Sequence, residues 1–525
     1  MELALQRARW EIDQLNEIGV ALSAERDRGA LLKLILQKCR EITHSDAGSL
    51  YLVEEDESGE RRLRFSITQN DSMQFPFNEF FLSIDHTSLA GYVALTGEEI
   101  ALDDVYEIPT SLPFRFNRGL DEESGYRCRS ILVVPMRAPK GEITGVVQLI
   151  NCKREMSLKV DRATVADVVV PFPDQCRPML RSLASQAAVA LDNNRLYESI
   201  ENLFEGFVRA SVDAIEARDP TTSGHSFRVA DLTLGLAEAV DRADSPPFRH
   251  IQFSRTEMKE IRYASLLHDF GKVGVREEVL VKAKKLYPGQ LELIRQRFAY
   301  VRKALEQDQS ERKLAYLLEK GRNEFLLRQS EFERDLETEI KEIDEFLEII
   351  VRHNEPTVLS EGNFARLGEL AARQFIDGAG RRQPLLSRHE VKLLSIDRGS
   401  LDADERLQIQ SHVDYTQCFL RQIPWTKDIK DIPDIASAHH EKLDGTGYPR
   451  SLAAPQIPFQ SKMMTIADIF DALSATDRPY KRAVPRERAL DILHDEAKRG
   501  MIDGDLLQLF REAEIFRRVA QAKPN

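Results

Sequence analysis

The chain has 525 residues, 42% of them hydrophobic and 30% charged, with a formal net charge of −13. That length predicts roughly two to four domains, and the composition is that of a globular protein with enough apolar residues for real cores. The acidic balance excludes broad, non-specific binding to nucleic acid or anionic membrane, which needs a cationic face, but leaves a small anionic substrate open.

Five cysteines, Cys39, Cys128, Cys152, Cys176 and Cys418, are scattered and none stands in a CxxC spacing. This pattern predicts a reducing compartment and neither a zinc ribbon nor a redox motif. The first ten residues begin an amphipathic charged helix, not a signal peptide. No apolar run approaches the ~18 residues needed to span a bilayer. The expectation is a cytoplasmic protein without a membrane partner.

Residues 3–42 read as helix, with Leu15, Ile18, Leu22, Leu31, Leu32, Ile35 and Ile42 recurring on one face. Strand-like segments follow at 49–53, 63–67, 130–134 and 145–151, the last two joined by a turn at Pro139-Lys140-Gly141-Glu142. Helix returns near Met179. The stretches Asp46-Ala47-Gly48-Ser49-Leu50-Tyr51-Leu52, Gly125 to Ser130 and Gly145 to Asn151 resemble a GAF domain over about residues 10–195. The resemblance implies an antiparallel sheet flanked by helices, acting as a small-molecule sensor or a dimerisation module. Its pocket would lie between the sheet and the segment 72–125. There Asn117, Arg118, Asp121 and Glu122 look like the polar cluster of cyclic-nucleotide-binding members, or else form a solvated loop. The ligand, if there is one, carries no name in the sequence.

From Leu183 a seam runs through Ala187, Ala190, Asn194, Tyr197 and Phe204 with heptad-like spacing. It reads either as a parallel dimer seam with Asn194 fixing register, or as one helix packed on its own domain. The domain order expected is a GAF-like region at 1–195, a helical connector at 183–215 and a catalytic region at 205–520.

Two clusters in that last region carry metal chemistry. His268-Asp269-Phe270-Gly271-Lys272 follows an apolar helical stretch, so an imidazole and a carboxylate stand together near a helix end, with Lys272 as a cation for a phosphate. His439-His440-Glu441 runs into the turn Gly445-Thr446-Gly447-Tyr448-Pro449. Mixed imidazole and carboxylate ligands without thiolate suit iron, manganese or other first-row ions. Two such ions side by side clamp an attacked phosphate and activate water.

These stretches resemble the HD-GYP family of metal phosphohydrolases over about residues 205–515. The match includes Arg218-Asp219-Pro220, Gly224-His225-Ser226, Arg228-Val229-Ala230, His412, Ile466 to Leu473 and Asp477-Arg478-Pro479-Tyr480-Lys481. The resemblance implies an all-α domain that hydrolyses cyclic di-GMP to pGpG or GMP at a two- or three-metal site. Carried over by residue, one ion would take His225, His268, Asp269 and Asp468. The second would share Asp269 and take His412, His439 and His440. Asp269 and Lys272 would be catalytic. Lys272, Gly447, Tyr448, Pro449, Arg478 and Lys481 would hold substrate.

Two features depart from the family pattern. Thr221 stands where three-metal members carry a glutamate, which predicts two ions and not three. An insertion, about 287–395, separates Asp269 from His412. The alternative ligand position leads to Arg297, which cannot ligate, so His412 is chosen. The insertion reads as a helical hairpin or extra lobe with the stripe Phe325, Phe332, Leu336, Ile340, Ile343, Leu347 and Ile350, a helix end at Asn354-Glu355-Pro356 and a mobile loop at Gly378-Ala379-Gly380. Its role is either to gate the site or to bind a partner protein. The overall expectation is a bacterial signalling enzyme that acts as a homodimer and, by its charge, has no nucleic acid partner. The alternatives are a non-catalytic cyclic di-GMP receptor and, less favoured by the Gly-Tyr-Pro turn, a phosphodiesterase for another cyclic dinucleotide.

Overall fold

The structure is a computed structural model that describes residues 2–56, 59–73, 79–219, 223–244, 246–356, 363–475 and 484–521. The chain divides into two compact units, Met1–Phe204 and Glu205–Asn525. Among the described residues, no helix is long and apolar enough to cross a membrane.

The first unit opens with two helices, α1 (Glu2–Ala24) and α2 (Arg28–Thr43), where the pattern predicted continuous helix. Asp27 breaks it. Its backbone is extended and its carboxylate accepts the Ala30 amide at 2.7 Å, so a local cap competes with the helical ladder. The sheet strands are β1 (Ser45–Glu55), β2 (Arg61–Asn70), β3 (Phe81–Ser83), β4 (Ile100–Leu102), β5 (Ile131–Arg137), β6 (Ile143–Lys153) and β7 (Val169–Val170). Their order is β3-β2-β1-β6-β5-β4, with β7 beside β6. All pairs are antiparallel, with Leu50 opposite Val147 and Ile131 opposite Ile150. The turn at 138–142 closes as expected, with Gly141 at φ 88°.

Alternation along the strands separates two cores. Leu50, Leu52 and Leu149 join Leu22, Ile35 and Leu36 beneath α6 (Cys176–Glu216). Tyr51, Val133 and Val146 meet α3 (Leu89–Thr96) and the long segment that holds α4 (Gly119–Ser124) on the other face. A short helix, α5 (Val165–Val168), closes this side.

The polar cluster expected to face a ligand is taken up in holding that segment down. Asp121 is buried and accepts from the Tyr106 hydroxyl at 3.0 Å and the Cys128 amide at 2.8 Å. Asn117 caps the Gly119 amide, and the Arg118 guanidinium lies over the Tyr106 ring. Asn117, Arg118 and Glu122 are themselves exposed, and only Asp121 of the four is buried.

The connector seam is turned inward as far as Asn194, beyond which Tyr197 is exposed. Leu183, Ala187 and Ala190 belong to the first core, and the Asn194 amide donates to the Arg26 carbonyl at 2.7 Å, so Asn194 does not face a second helix. The exposed stripe of α6 is offset by one residue: Val189, Leu196, Ile200, Leu203 and Phe207, with exposed Asn193 on the same face.

The second unit is largely helical. Its frame is α7 (His225–Asp241), α8 (Arg255–Leu267), α9 (Glu277–Leu280), α14 (Ala403–Gln410), α15 (His412–Leu420), α16 (Ile432–Ala436), α17 (Phe459–Ser474), α18 (Arg486–Lys498) and α19 (Gly504–Glu512). The insertion is an antiparallel hairpin of α10 (Pro288–Lys320) and α11 (Arg322–His353), followed by α12 (Asn363–Ala372), strands β8 (Gln374–Ile376) and β9 (Arg382–Pro384), and α13 (Arg388–Leu394). It has its own core of Ile294, Phe298, Phe346, Ile350, Leu370 and Leu393. The Gly378–Gly380 stretch, expected as a mobile loop, is the turn of the β8–β9 hairpin, where the Asp377 carboxylate accepts the Ala379 and Arg381 amides. The hairpin also makes the unit less than wholly α.

One ion pair of the first unit is fully buried. Lys153 and Asp46 have no exposed side-chain surface and lie 3.0 Å apart, with the Tyr126 hydroxyl donating to the same carboxylate at 2.7 Å. Lys153→Met leaves Asp46 as a buried charge without its cation, at a cost of about 3–5 kcal/mol. Calorimetry on the full chain is expected to show the first unit's unfolding transition moved to lower temperature.

Candidate metal centre

A helix leaves its last carbonyls without intrahelical donors. Three of the predicted ligands exploit this. His268 follows the end of α8, and its Nδ1 lies 2.6 Å from the Ser265 carbonyl oxygen. His412 follows α14 and meets the Ile409 carbonyl at 2.5 Å, and His439 follows α16 and meets the Ala436 carbonyl at 2.6 Å. A carbonyl only accepts, so each Nδ1 carries the proton and each Nε2 keeps its lone pair. All three Nε2 atoms are buried and make no hydrogen bond.

His225 is wired differently. It is the first residue of α7, entered through Gly224 in the left-handed region at φ 65°. Its Nδ1 lies 2.7 Å from the Asp471 carboxylate, and its Nε2 lies 3.2 Å from Asp468 Oδ1 and 3.8 Å from Asp269 Oδ2. Asp269 Oδ1 lies 3.3 Å from His412 Nε2 and its Oδ2 lies 3.5 Å from His268 Nε2. His440 Nδ1 is 3.8 Å from Asp468 Oδ2. The seven predicted metal residues therefore converge. Donor atoms of six of them form two groups, His225/His268/Asp269 and His412/His439/His440, each within 4.8 Å of one another, and the seventh, Asp468, faces His225 and His440.

The scaffold explains this convergence. α17 presents Ser461, Thr465, Asp468 and Asp471 along one buried face, at three- and four-residue spacing. The Ser461 hydroxyl donates to the Ile435 carbonyl and the Thr465 hydroxyl to the His439 carbonyl, both at 2.7 Å. Thr416, one turn beyond His412, donates to the His268 carbonyl and accepts the Gly271 amide. A Cβ at Gly271 would collide with the His412 carbonyl oxygen and the Thr416 amide, so only glycine lets α15 approach the His268–Lys272 turn.

Glu441 governs the following turn: its buried carboxylate accepts the Arg450 and Leu452 amides at 2.8 and 2.9 Å. Gly447 packs so closely on Glu441 and Lys442 that a Cβ would meet their backbone. Tyr448 is brought beside His440, ring centroids 4.8 Å apart, with Pro449 following through a cis peptide bond. Lys272 Nζ lies between Asp269 at 2.9 Å and Asp219 at 3.3 Å. Arg297, the rejected ligand position, pairs with Glu390 inside the insertion. Thr221, Arg478 and Lys481 lie outside the described residues. Asp471, Arg228, Thr416, Thr465 and Glu441 were given no role by sequence reasoning. Arg228 and Asp471 lie inside stretches matched by the family resemblance, without a role of their own; for Thr416, Thr465 and Glu441 the signal is a polar residue next to a ligand or one helical turn away.

Electrostatics suits a cation. Burial and neighbouring imidazoles hold His439 well below the usual range and His440 down to about 3, so both are neutral at pH 7. Burial also lowers His268. Burial opposes ionisation of Asp269, but Lys272, His268 and His412 outweigh it and hold it well below the usual carboxylate range. Burial would lower His225 too, yet its hydrogen bonds to Asp468 and Asp471 push it up to about 9. Unpaired buried nitrogens facing ionised carboxylates are a donor set that fits a first-row metal ion.

Family models described as GAF domain and HD domain match the chain, the first at residues 27–191, the second at 222–396 and, with another HD model, at 389–506. The chain is similar to the 3'3'-cGAMP-specific phosphodiesterase 3 of Vibrio cholerae, 40% identical over 121 residues, which are 22% of this chain and 25% of that protein. It is also similar to the cyclic di-GMP phosphodiesterase response regulator RpfG of Xanthomonas campestris, 44% identical over 68 residues, 13% of this chain and 17% of that one. The chain thus spans a quarter or less of the length of these relatives. Among solved structures, the GAF domain of an Acinetobacter phosphoenolpyruvate-protein phosphotransferase aligns over 36% of this chain and 98% of its own, at 16% identity and TM-score 0.27.

Metal binding is expected to expel a proton from His225. Without metal, this residue holds its proton below about pH 9. Metal affinity should therefore rise about tenfold per pH unit from pH 7 to 9 and level off above, with about one proton released per chain at pH 7. The metal-free chain should show the opposite trend. The raised value stabilises the fold fully below the ordinary 6.5, and that increment is lost as pH rises through 9. Calorimetric titration in two buffers of different ionisation enthalpy counts the protons.

Proposed function

We propose that this chain, a GAF domain followed by an HD domain of the HD-GYP type, is a metal-dependent phosphodiesterase for cyclic di-GMP. The observation that carries the reading is the set of three buried, unpaired imidazole nitrogens facing Asp269 and Asp468. His225, His268, Asp269 and Asp468 would hold one divalent ion, iron or manganese. Asp269 would be shared with a second held by His412, His439 and His440. Such ions polarise a phosphodiester and activate water.

The chain's own residues do the rest. The backbone-anchored imidazoles keep their lone pairs aimed inward without reorganisation. Lys272 carries positive charge toward the attacked phosphate while steadying Asp269. Tyr448, backed by His440, and the Gly447–Pro449 turn shape the wall on which a base lies, and Arg478 and Lys481 supply charge for the second phosphate. The product is pGpG, or GMP when both bonds are cut. Thr221 in place of a glutamate supports two ions and not three. The free cysteines support a cytoplasmic setting.

A second reading is hydrolysis of 3'3'-cGAMP, favoured by the similarity to a phosphodiesterase named for it. Incubating the metal-loaded full chain with each dinucleotide and following linear products by chromatography separates the two. His440→Ala and Asp269→Ala are each expected to lose bound metal and to lower turnover beyond the ~10–100-fold that a missing outer partner costs. His86→Ala, on the exposed surface of the first unit, should do neither. Full activity in Asp269→Ala would sink the metal reading. Tight binding without turnover, with either iron or manganese, would favour a receptor.

The partner this reading gives is a second copy. Leu196, Ile200, Leu203 and Phe207 recur at four-, three- and four-residue intervals and are each at least half exposed. Asn193 falls at the preceding core-type position, where a buried asparagine fixes the register of a two-stranded coil. Sedimentation at micromolar concentration should give a dimer, and Ile200→Glu with Leu203→Glu a monomer.

A further inference from the structure

Of the four histidines whose Nδ1 is anchored, His225 alone is anchored by a charge. His268, His412 and His439 bond backbone carbonyls, while His225 Nδ1 bonds Asp471 Oδ2 at 2.7 Å. Asp471 is 1% exposed and is itself held from the other side. Arg228 Nε reaches its Oδ1 at 2.7 Å and Nη2 its Oδ2 at 3.0 Å, a two-pronged grip. A third arm, Nη1, bonds the Ser223 carbonyl at 2.9 Å, just before His225.

The four residues form a closed square across two packed helices. His225 and Arg228 are one turn apart on α7, and Asp468 and Asp471 are one turn apart on α17. Asp468 faces His225 Nε2, and Asp471 faces its Nδ1. The imidazole is thus clamped along its length between two carboxylates of one helix. A carboxylate acceptor raises the basicity of a ligating imidazole more than a carbonyl does, and it fixes ring orientation. Arg228 neutralises Asp471, which lets the carboxylate stay buried beside two others.

We infer that Asp471, gripped by Arg228, is a positioning residue that sets the affinity of the ion held by His225, His268, Asp269 and Asp468, and leaves the other ion's affinity unchanged. The inference rests on the two-ion reading above. Its basis is asymmetric: among the described residues, no carboxylate lies within hydrogen-bond distance of the Nδ1 of His412, His439 or His440, so the two ions should differ in their dependence on Asp471.

The test is a manganese titration of the metal-free full chain, with bound metal counted by elemental analysis against graded chelator. Asp471→Asn keeps the shape and an acceptor for Nδ1 but removes the charge. It is expected to weaken one manganese by about 10–100-fold and to leave the other at the wild-type affinity. Arg228→Lys, which keeps the Asp471 charge but loosens its grip, should act in the same direction by less. Thermal unfolding of the metal-free variants reports folding separately, and Arg228→Lys carries the test if Asp471→Asn does not fold. Wild-type affinity for both ions in these variants, or equal weakening of both, overturns the inference. His225→Ala separates the two readings. If it loses one ion while Asp471→Asn loses none, only the role of Asp471 fails. If it also binds as wild type, the metal assignment itself fails.

Discussion

The second unit is organised by the way a helix end binds an imidazole. A carbonyl left without a donor at the C-terminal end of α8, α14 or α16 takes the Nδ1 proton of a histidine three residues on. This single contact caps the helix, selects the tautomer and turns the Nε2 lone pair toward the interior. The direction of each lone pair is therefore set by the fold itself, at a place where a buried acceptor calls for a partner.

The scaffold keeps the ligands in place with few parts. α17 carries Asp468 and, a turn to either side, Thr465 and Asp471, each holding a residue of the ligand set. Gly271 and Thr416 bring the His268 turn and α15 together at van der Waals distance. In this region the backbone is held by hydroxyls of buried helices, not by loops, which limits the freedom of the ligands to drift.

Much of this could be read from residue order. The His268-Asp269 pair after an apolar helix, the His439-His440 pair before a glycine-rich turn, and the choice of His412 over Arg297 all point at residues that the structure brings together. The four long strands of the first unit, β1, β2, β5 and β6, fall on the strand-like segments, and the turn between β5 and β6 falls on Pro139 to Glu142, whereas the two- and three-residue strands β3, β4 and β7 are too short to show a pattern. Other expectations fail for identifiable reasons. Asp27 caps a helix that apolar periodicity alone carries straight through. Asn194 and Asn193 differ by about 100° around α6, and periodicity does not say which face the domain itself covers. Asp121 resembles a ligand group in composition but is buried against Tyr106 and Cys128. Asp471 lies inside the matched stretch Ile466 to Leu473, but its role was not legible because it depends on Arg228 and His225, more than 240 residues away along the chain.

The insertion enters and leaves the second unit at nearly one point. The Ser400 hydroxyl donates to the Lys282 carbonyl at 2.9 Å, and the Lys282 ammonium bonds both oxygens of Glu405 at 2.7 Å, with the Tyr287 hydroxyl on the same carboxylate. Topologically the lobe is a side branch, stitched shut at its base and supplied with its own core. The length of such a branch is uncoupled from the path of α14 into His412, because its base is closed before α14 begins. The same knot makes the base a natural splice point: a short turn joining Lys284 to Ile396 would excise the lobe and retain the helix that leads to the ligand.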